Sequence, residues 1–167
     1  MEIWDLYGKN RKKLGVTHTR GEPLPENGYH LTVHVWIKDD NGRFLISQRS
    51  RNKSTYPLLW ECVGGSVLAG EDSLQGALRE TKEEIGLSLS PEKGKIVSRI
   101  VRGVIDGKRY NDILDVWLFN YNGEVDLSLA TTDEVEDIKW LTVDEILKLD
   151  GDGKFVEGLK YFICNPL

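Results

Sequence analysis

GSVLAGEDSLQGALRETKEEIGL, residues Gly65 to Leu87, is the stretch that decides how the chain is read. Leu74, Ala77, Leu78, Thr81 and Ile85 recur at helical spacing, which predicts an amphipathic helix from Asp72 to Ile85. Asp72 is a suitable N-cap, and Gly86 a suitable stop. Away from the apolar stripe, Glu80, Glu83 and Glu84 stand at i, i+3 and i+4, so their carboxylates project within roughly a 100° arc. They are expected to face a cleft or solvent rather than the core. Two local rules oppose that arrangement. Like charges at these spacings repel, and anions in the last turn oppose the helix dipole by ~0.3–1 kcal/mol each. Arg79 relieves part of the cost, whereas Lys82 points away from the carboxylates. A hard divalent cation, Mg²⁺ or Mn²⁺, resolves the conflict because it prefers carboxylate oxygens. For E-x-x-E-E alone, a solvated acidic face would be the better reading.

The rest of the pattern reverses that judgement. Gly65, Glu71, Arg79, Glu80, Glu83, Glu84, Gly86 and Leu87 fall at the spacing of G-x5-E-x7-R-E-U-x-E-E-x-G-U, with U a bulky aliphatic. The segment resembles the box of the Nudix (MutT-like) hydrolases; Thr81 is the one departure, at a position usually Ile, Leu or Val. WDLYGKN, GYHLTVHVWI, LISQRS and TDEVEDIKWLTVDEI extend the likeness over nearly the whole chain, toward the Nudix branch related to isopentenyl-diphosphate isomerase. The resemblance implies an α/β Nudix fold in which a divalent ion sits on a substrate diphosphate. It makes Glu80 and Glu84 direct ligands and Glu83 a third ligand or a partner through water, with the backbone carbonyl of Gly64, in a glycine loop, as a further donor. Arg79 and Glu71 become orienting residues, and Gly65 and Gly86 structural ones. Glu83 or Glu84 is the candidate general base. Glu134, ahead of VEDIKWL, is a second candidate that reads equally well as a solvated loop charge.

Outward from the box, one domain over residues 1–167 is expected, with 1–28 forming an N-terminal hairpin extension that turns at Gly8-Lys9-Asn10. YHLTVHVWIKD puts Leu31, Val33, Val35 and Ile37 on one face of a strand, with His30, Thr32, His34 and Trp36 on the other. A turn at Asp39–Gly42 leads to a strand over RFLISQRS. The strand LWECV enters the glycine loop. Two long strands, about Lys95–Val104 and Tyr110–Tyr121, are joined by a turn at Asp106-Gly107. VEDIKWL is a further strand, TVDEILKL a helix capped by Thr142, and KFVEGLKYFI a last helix. The sum is a mixed β-sheet sandwiched between α-helices.

Composition bounds the function. The chain has 167 residues, 40% of them hydrophobic, and a net charge of −5, which argues against a nucleic-acid polymer or an anionic membrane as partner. Cys62 and Cys164 lack metal-ligand or disulfide spacing, and no apolar run is long enough to span a bilayer, so a cytoplasmic enzyme is expected. Arg49, Arg51 and Lys53 leave one strand together and are candidates to bind a small-molecule diphosphate. Trp60 and Trp140 read as core, and His30 and His34 as ordinary sheet residues. Three activities compete: a diphosphate hydrolase, an isopentenyl-diphosphate isomerase, and a non-catalytic ligand-binding module. The isomerase places a cysteine where Gly64 stands and a histidine where Ser66 stands. Only His30 has a counterpart among its metal histidines. Both comparisons favour the hydrolase. Substrate identity and a homodimer are left open.

Overall fold

The computed structural model describes residues 1–105 and 107–167; the Asp106 half of the expected turn lies outside them, while Gly107 takes φ 76°. In chain order the elements are β1 (Ile3–Tyr7), β2 (Lys13–Thr19), β3 (Tyr29–Lys38), β4 (Phe44–Arg49), β5 (Trp60–Glu61), β6 (Val63–Ser66), α1 (Ser73–Ile85), β7 (Gly94–Ile105), β8 (Lys108–Asn120), β9 (Val135–Leu141), α2 (Val143–Gly151) and α3 (Lys160–Cys164).

β3 is the axis of the mixed sheet. It runs parallel to β8 from His30↔Asp112 to Lys38↔Asn120, and its other edge meets β1, β6 and β4 in turn, all antiparallel. The period-2 pattern sorts the core as expected. Leu31, Val33, Val35 and Ile37 join Ala77 and Ile85 of α1 on one side. On the other, Trp36 packs with Ile146 of α2 and stacks on Phe162 of α3 at 3.9 Å. Helices therefore cover both faces of the sheet. Burying a large apolar side chain in such a layer contributes about 1.5–3 kcal/mol.

One irregularity positions the site. β3 and β4 pair only at Lys38↔Phe44, then diverge, and residues 60–66 cross between them. Ser47 and Gln48 of β4 pair with β5, whereas Thr32 to Val35 of β3 pair with β6. Gly64 and Gly65 are consequently strand residues rather than the loop expected from sequence. A close approach explains the glycines: a Cβ at Gly64 would lie 2.6 Å from the Val33 carbonyl oxygen.

The box helix is capped on both sides. Asp72 and Gln75 form a reciprocal capping box, and Gly86 takes φ 71°, where a side chain would be strained. Thr81, fully buried, donates its hydroxyl to the Ala77 carbonyl at 2.8 Å, so its polar atom is satisfied while its methyl packs. The expected last helix is shorter than predicted. Trp60 donates its N–H to the Lys154 carbonyl and accepts the Val156 N–H, bonds that draw 154–156 into extended pairing with β5, so only Lys160–Cys164 is α-helical, after a 3-10 turn at Glu157–Leu159.

Candidate active site

Arg79 is the hub of the box. Its Nε and Nη2 donate to the two Glu71 carboxylate oxygens at 2.9 and 3.1 Å, the bidentate grip expected of an orienting pair. Nη2 also donates to the Ser66 carbonyl at 2.8 Å, and Nη1 to Glu80 and Glu83 at 3.0 Å each. Glu71 in turn accepts the Leu68 N–H at 3.0 Å. One guanidinium thus ties α1 to the end of β6 and to the intervening loop.

The carboxylates do not all face a cleft or solvent, as the helical stripe alone suggested. Glu83 does so partly, with a side chain 40% exposed. Glu84 is buried, on the core side of the acidic face. Burial, with further repulsion from Glu61, Glu80 and Glu134, pushes its carboxyl well above the usual range. Glu80 is pushed up to about 7 by burial, against the pull of Arg79. Glu61, which sequence reading passed over, completes the group: burial raises it, although Arg49 pairs with it at 2.7 Å. Its signal was a charge inside the apolar run LLWECV.

Lys53 forms an ion pair with Glu134, and both lie within electrostatic range of Glu61 and Glu84. The Glu83 carbonyl accepts the N–H groups of Thr131 and Thr132 at 2.9 and 3.2 Å, which pins the loop carrying Glu134 to the end of α1. Among the described residues, no three acidic, histidine or cysteine side chains already form a ligand cluster. Arg79 engages Glu80 and Glu83 in that arrangement. The donor chemistry nevertheless fits a hard divalent cation. The carboxylates of Glu61, Glu80 and Glu84 repel one another, and Gly65 has no side chain to obstruct the Glu80 carboxyl.

Beside this group lies a cleft of about 260 Å³, whose walls include Thr32, His34, Arg49, Glu61, Cys62 and Arg102. Of the three basic candidates, Arg49 lines it and Lys53 stands by the carboxylates. Arg51 does not join them: its guanidinium turns to Glu136 at 2.5 Å on the surface, with its side chain 67% exposed. A carboxylate two residues beyond Glu134 in β9 captures it. His34 and His30 do not converge. His34 Nδ1 is 2.8 Å from the Tyr161 hydroxyl, and burial lowers its pKa to about 3; His30 stacks on Trp4 at 4.3 Å. Cys62 is buried, and burial raises its thiol well above the ordinary value. Arg102 grips Asp112 through two bonds of 2.7 and 2.5 Å and lies 5.0 Å from the Tyr110 ring centre. Trp60 is core with Ile146 and Phe162, and Trp140 is partly buried against the other core cluster, that of Val33 and Leu45.

Comparison with known proteins agrees with this geometry. The NUDIX domain family model matches residues 28–161. An uncharacterized Nudix hydrolase of Listeria innocua is 35% identical, over 100% of this chain and 94% of its own. An isopentenyl-diphosphate Delta-isomerase of Klebsiella pneumoniae is 26% identical, over 78% of this chain and 67% of its own. In fold, the crystal structure of DR0079 from Deinococcus radiodurans superposes with a TM-score of 0.73 at 20% identity, covering 95% of this chain and 94% of that one. No helix among the described residues is long and apolar enough to cross a membrane. With a family model over most of its length and a hydrolase relative along all of it, the chain belongs to the Nudix hydrolase family.

Proposed function

We propose that this protein hydrolyses the diphosphate linkage of a nucleoside-diphosphate-type or related small molecule, with Mg²⁺ or Mn²⁺ as its ion. The observation that carries the reading is the gathering of half-buried Glu61 and Glu80 with buried Glu84 beside a cleft that also presents Arg49. Glu80, Glu83 and Glu84, with the Gly64 carbonyl as a further donor, would hold the ion, which would supply positive charge against the diphosphate and make a water more acidic. Arg79 keeps α1 in place through Glu71 even when Nη1 yields Glu80 and Glu83. Arg49 and Lys53 supply cations for the outer phosphate oxygens.

Glu84 is the favoured base because its carboxylate is ion-paired to no Lys or Arg among the described residues, whereas Arg79 engages Glu83. As the water oxygen bonds to phosphorus, Glu84 takes its proton, and the bridging oxygen leaves in line with the bonding electron pair. Glu134 is the weaker candidate, its carboxylate being engaged by Lys53. Isomerase chemistry has less support: Cys62, the cysteine nearest the box, is buried and held as the thiol. The test is a panel of diphosphate compounds assayed for released phosphate or monophosphate with Mg²⁺, with Mn²⁺ and with chelator. Release that depends on the ion is expected; no release from any compound with either ion would overturn the proposal.

A further inference from the structure

Trp36, Tyr161 and His34 form a hydrogen-bonded chain that ends at the cleft. The Trp36 indole is fully buried, and its Nε1 donates to the Tyr161 hydroxyl at 2.8 Å. His34 Nδ1 lies 2.8 Å from the same hydroxyl, on a ring within 19° of the Tyr161 ring plane. The hydroxyl comes from α3, while the two rings that it joins are alternate residues of β3 on one face of the sheet. His34 is the member of the chain that lines the cleft. Its ring also abuts β6: a Cβ at Gly64 would fall 3.0 Å from His34 Cδ2, the carbon bonded to Nε2.

Counting protons gives the chain a direction. An indole N–H only donates, and a phenol has one proton to give. With Trp36 as donor, the Tyr161 oxygen is already an acceptor, and its own proton has two destinations: His34 Nδ1, or the neighbouring Cys62 sulfur. Sulfur is a weak acceptor, and sending the proton there would leave two N–H groups donating to one phenol oxygen. The proton therefore goes to Nδ1, and the imidazole carries its own hydrogen on Nε2. Arg49 and Arg102 line the same cleft, and Gly64 beside the ring carries the carbonyl assigned to the ion. A phosphate oxygen is the acceptor that suits an N–H donor in these surroundings.

We infer that Tyr161 fixes His34 as an Nε2–H donor into the cleft, where His34 binds a non-bridging oxygen of the substrate diphosphate. Tyr161 is then a positioning residue, oriented in turn by Trp36. The inference rests on the hydrolase reading and deepens it. A donor of this kind grips the substrate before and during reaction alike, so its loss shows in KM rather than in kcat. In His34→Ala, KM for the best substrate of the diphosphate panel should rise about tenfold, with kcat within about threefold of native. His34→Gln, which offers an amide N–H near the place of Nε2, should bring KM back to within about threefold of native. Circular dichroism confirms that each variant folds. NMR of the histidine ring nitrogens, in native protein without added ion, should show the His34 proton on Nε2, and Tyr161→Phe should show both tautomers. A native spectrum with the proton on Nδ1, a Tyr161→Phe spectrum identical to native, or an unchanged KM in His34→Ala overturns the inference while leaving hydrolysis intact. If the native protein turns over no diphosphate, the hydrolase reading is what fails. The donor is then judged by equilibrium binding of inorganic pyrophosphate, and equal affinity in native protein and His34→Ala ends it.

Discussion

The Glu80 carboxyl lies against the bare α-carbon of Gly65: a Cβ at residue 65 would fall 2.3 Å from the carboxyl carbon. The contact joins the strand that crosses between β3 and β4 to the acidic face of α1. Gly65→Ala must move Glu80, but the obstruction is the end of a flexible side chain, so the fold should persist. Turnover should fall about 10²-fold, the cost of misplacing a reacting group by roughly 1 Å. Gly64→Ala meets a backbone oxygen instead and should lose about 1–3 kcal/mol of stability. Urea titration beside initial rates checks both; equal stability losses would contradict this account of the glycines.

Removing divalent ions should abolish turnover and lower the melting temperature. Ion at a hundredfold its Kd stabilises by about 2.7 kcal/mol, or very roughly 5–10 °C in a chain of this size. Melting and rates in chelator, then with Mg²⁺ restored, decide the matter, and undiminished turnover in chelator would rule out a metal-assisted mechanism.

Glu80→Gln and Glu84→Gln keep size while removing charge, and each should lower kcat by ~10²–10⁴-fold. Both variants should fold, since either change removes one of several repelling carboxylates near a helix C-terminus. Circular dichroism confirms folding and single-turnover rates measure the loss. Retention of native kcat in Glu84→Gln would remove Glu84 as base.

Cys62→Ala separates hydrolysis from isomerisation. With the thiol buried and its pKa raised, turnover should stay within about threefold of native, because a thiol that is not ionised is a poor nucleophile. Loss of turnover in Cys62→Ala alongside normal rates in Glu84→Gln would instead favour the isomerase, as would double-bond migration seen by NMR with the native protein.

His34 should make the protein acid-sensitive. Its folded pKa is about 3 against an ordinary 6.5, so between those values the unfolded chain binds the extra proton. This contribution to stability is complete above pH 6.5 and is lost progressively as pH falls toward 3, by an amount on the order of a few kcal/mol. Glu80, raised to about 7, acts with the opposite sign, favouring the folded state as pH falls from about 7 toward 4.5. The useful quantity is therefore the difference between native protein and His34→Asn, measured in chelator from pH 4 to 7. Parallel pH profiles for the two would show that His34 carries no such penalty.

Sequence alone determined everything that repeats with a local period or a fixed offset. The alternation of Leu31 to Ile37 placed β3, and the stripe from Leu74 to Ile85 with Asp72 and Gly86 bounded α1, because these features depend on residues within a turn or two of each other. The Glu71–Arg79 pair was legible too, since the box spacing sets its reach. Tertiary structure decided what depends on chain segments far apart. Glu61 reaches the box carboxylates only because residues 60–66 cross from β4 to β3, and Arg51 leaves the group only because β9 brings Glu136 beside it. The C-terminal segment gave up helix at 154–156 because the exposed edge at Trp60 offered backbone hydrogen bonds that no local pattern could announce. Burial did the same for Glu84: one helix face shows a carboxylate, but the sheet and loops packed around it decide how much water reaches it, and so its affinity for a proton.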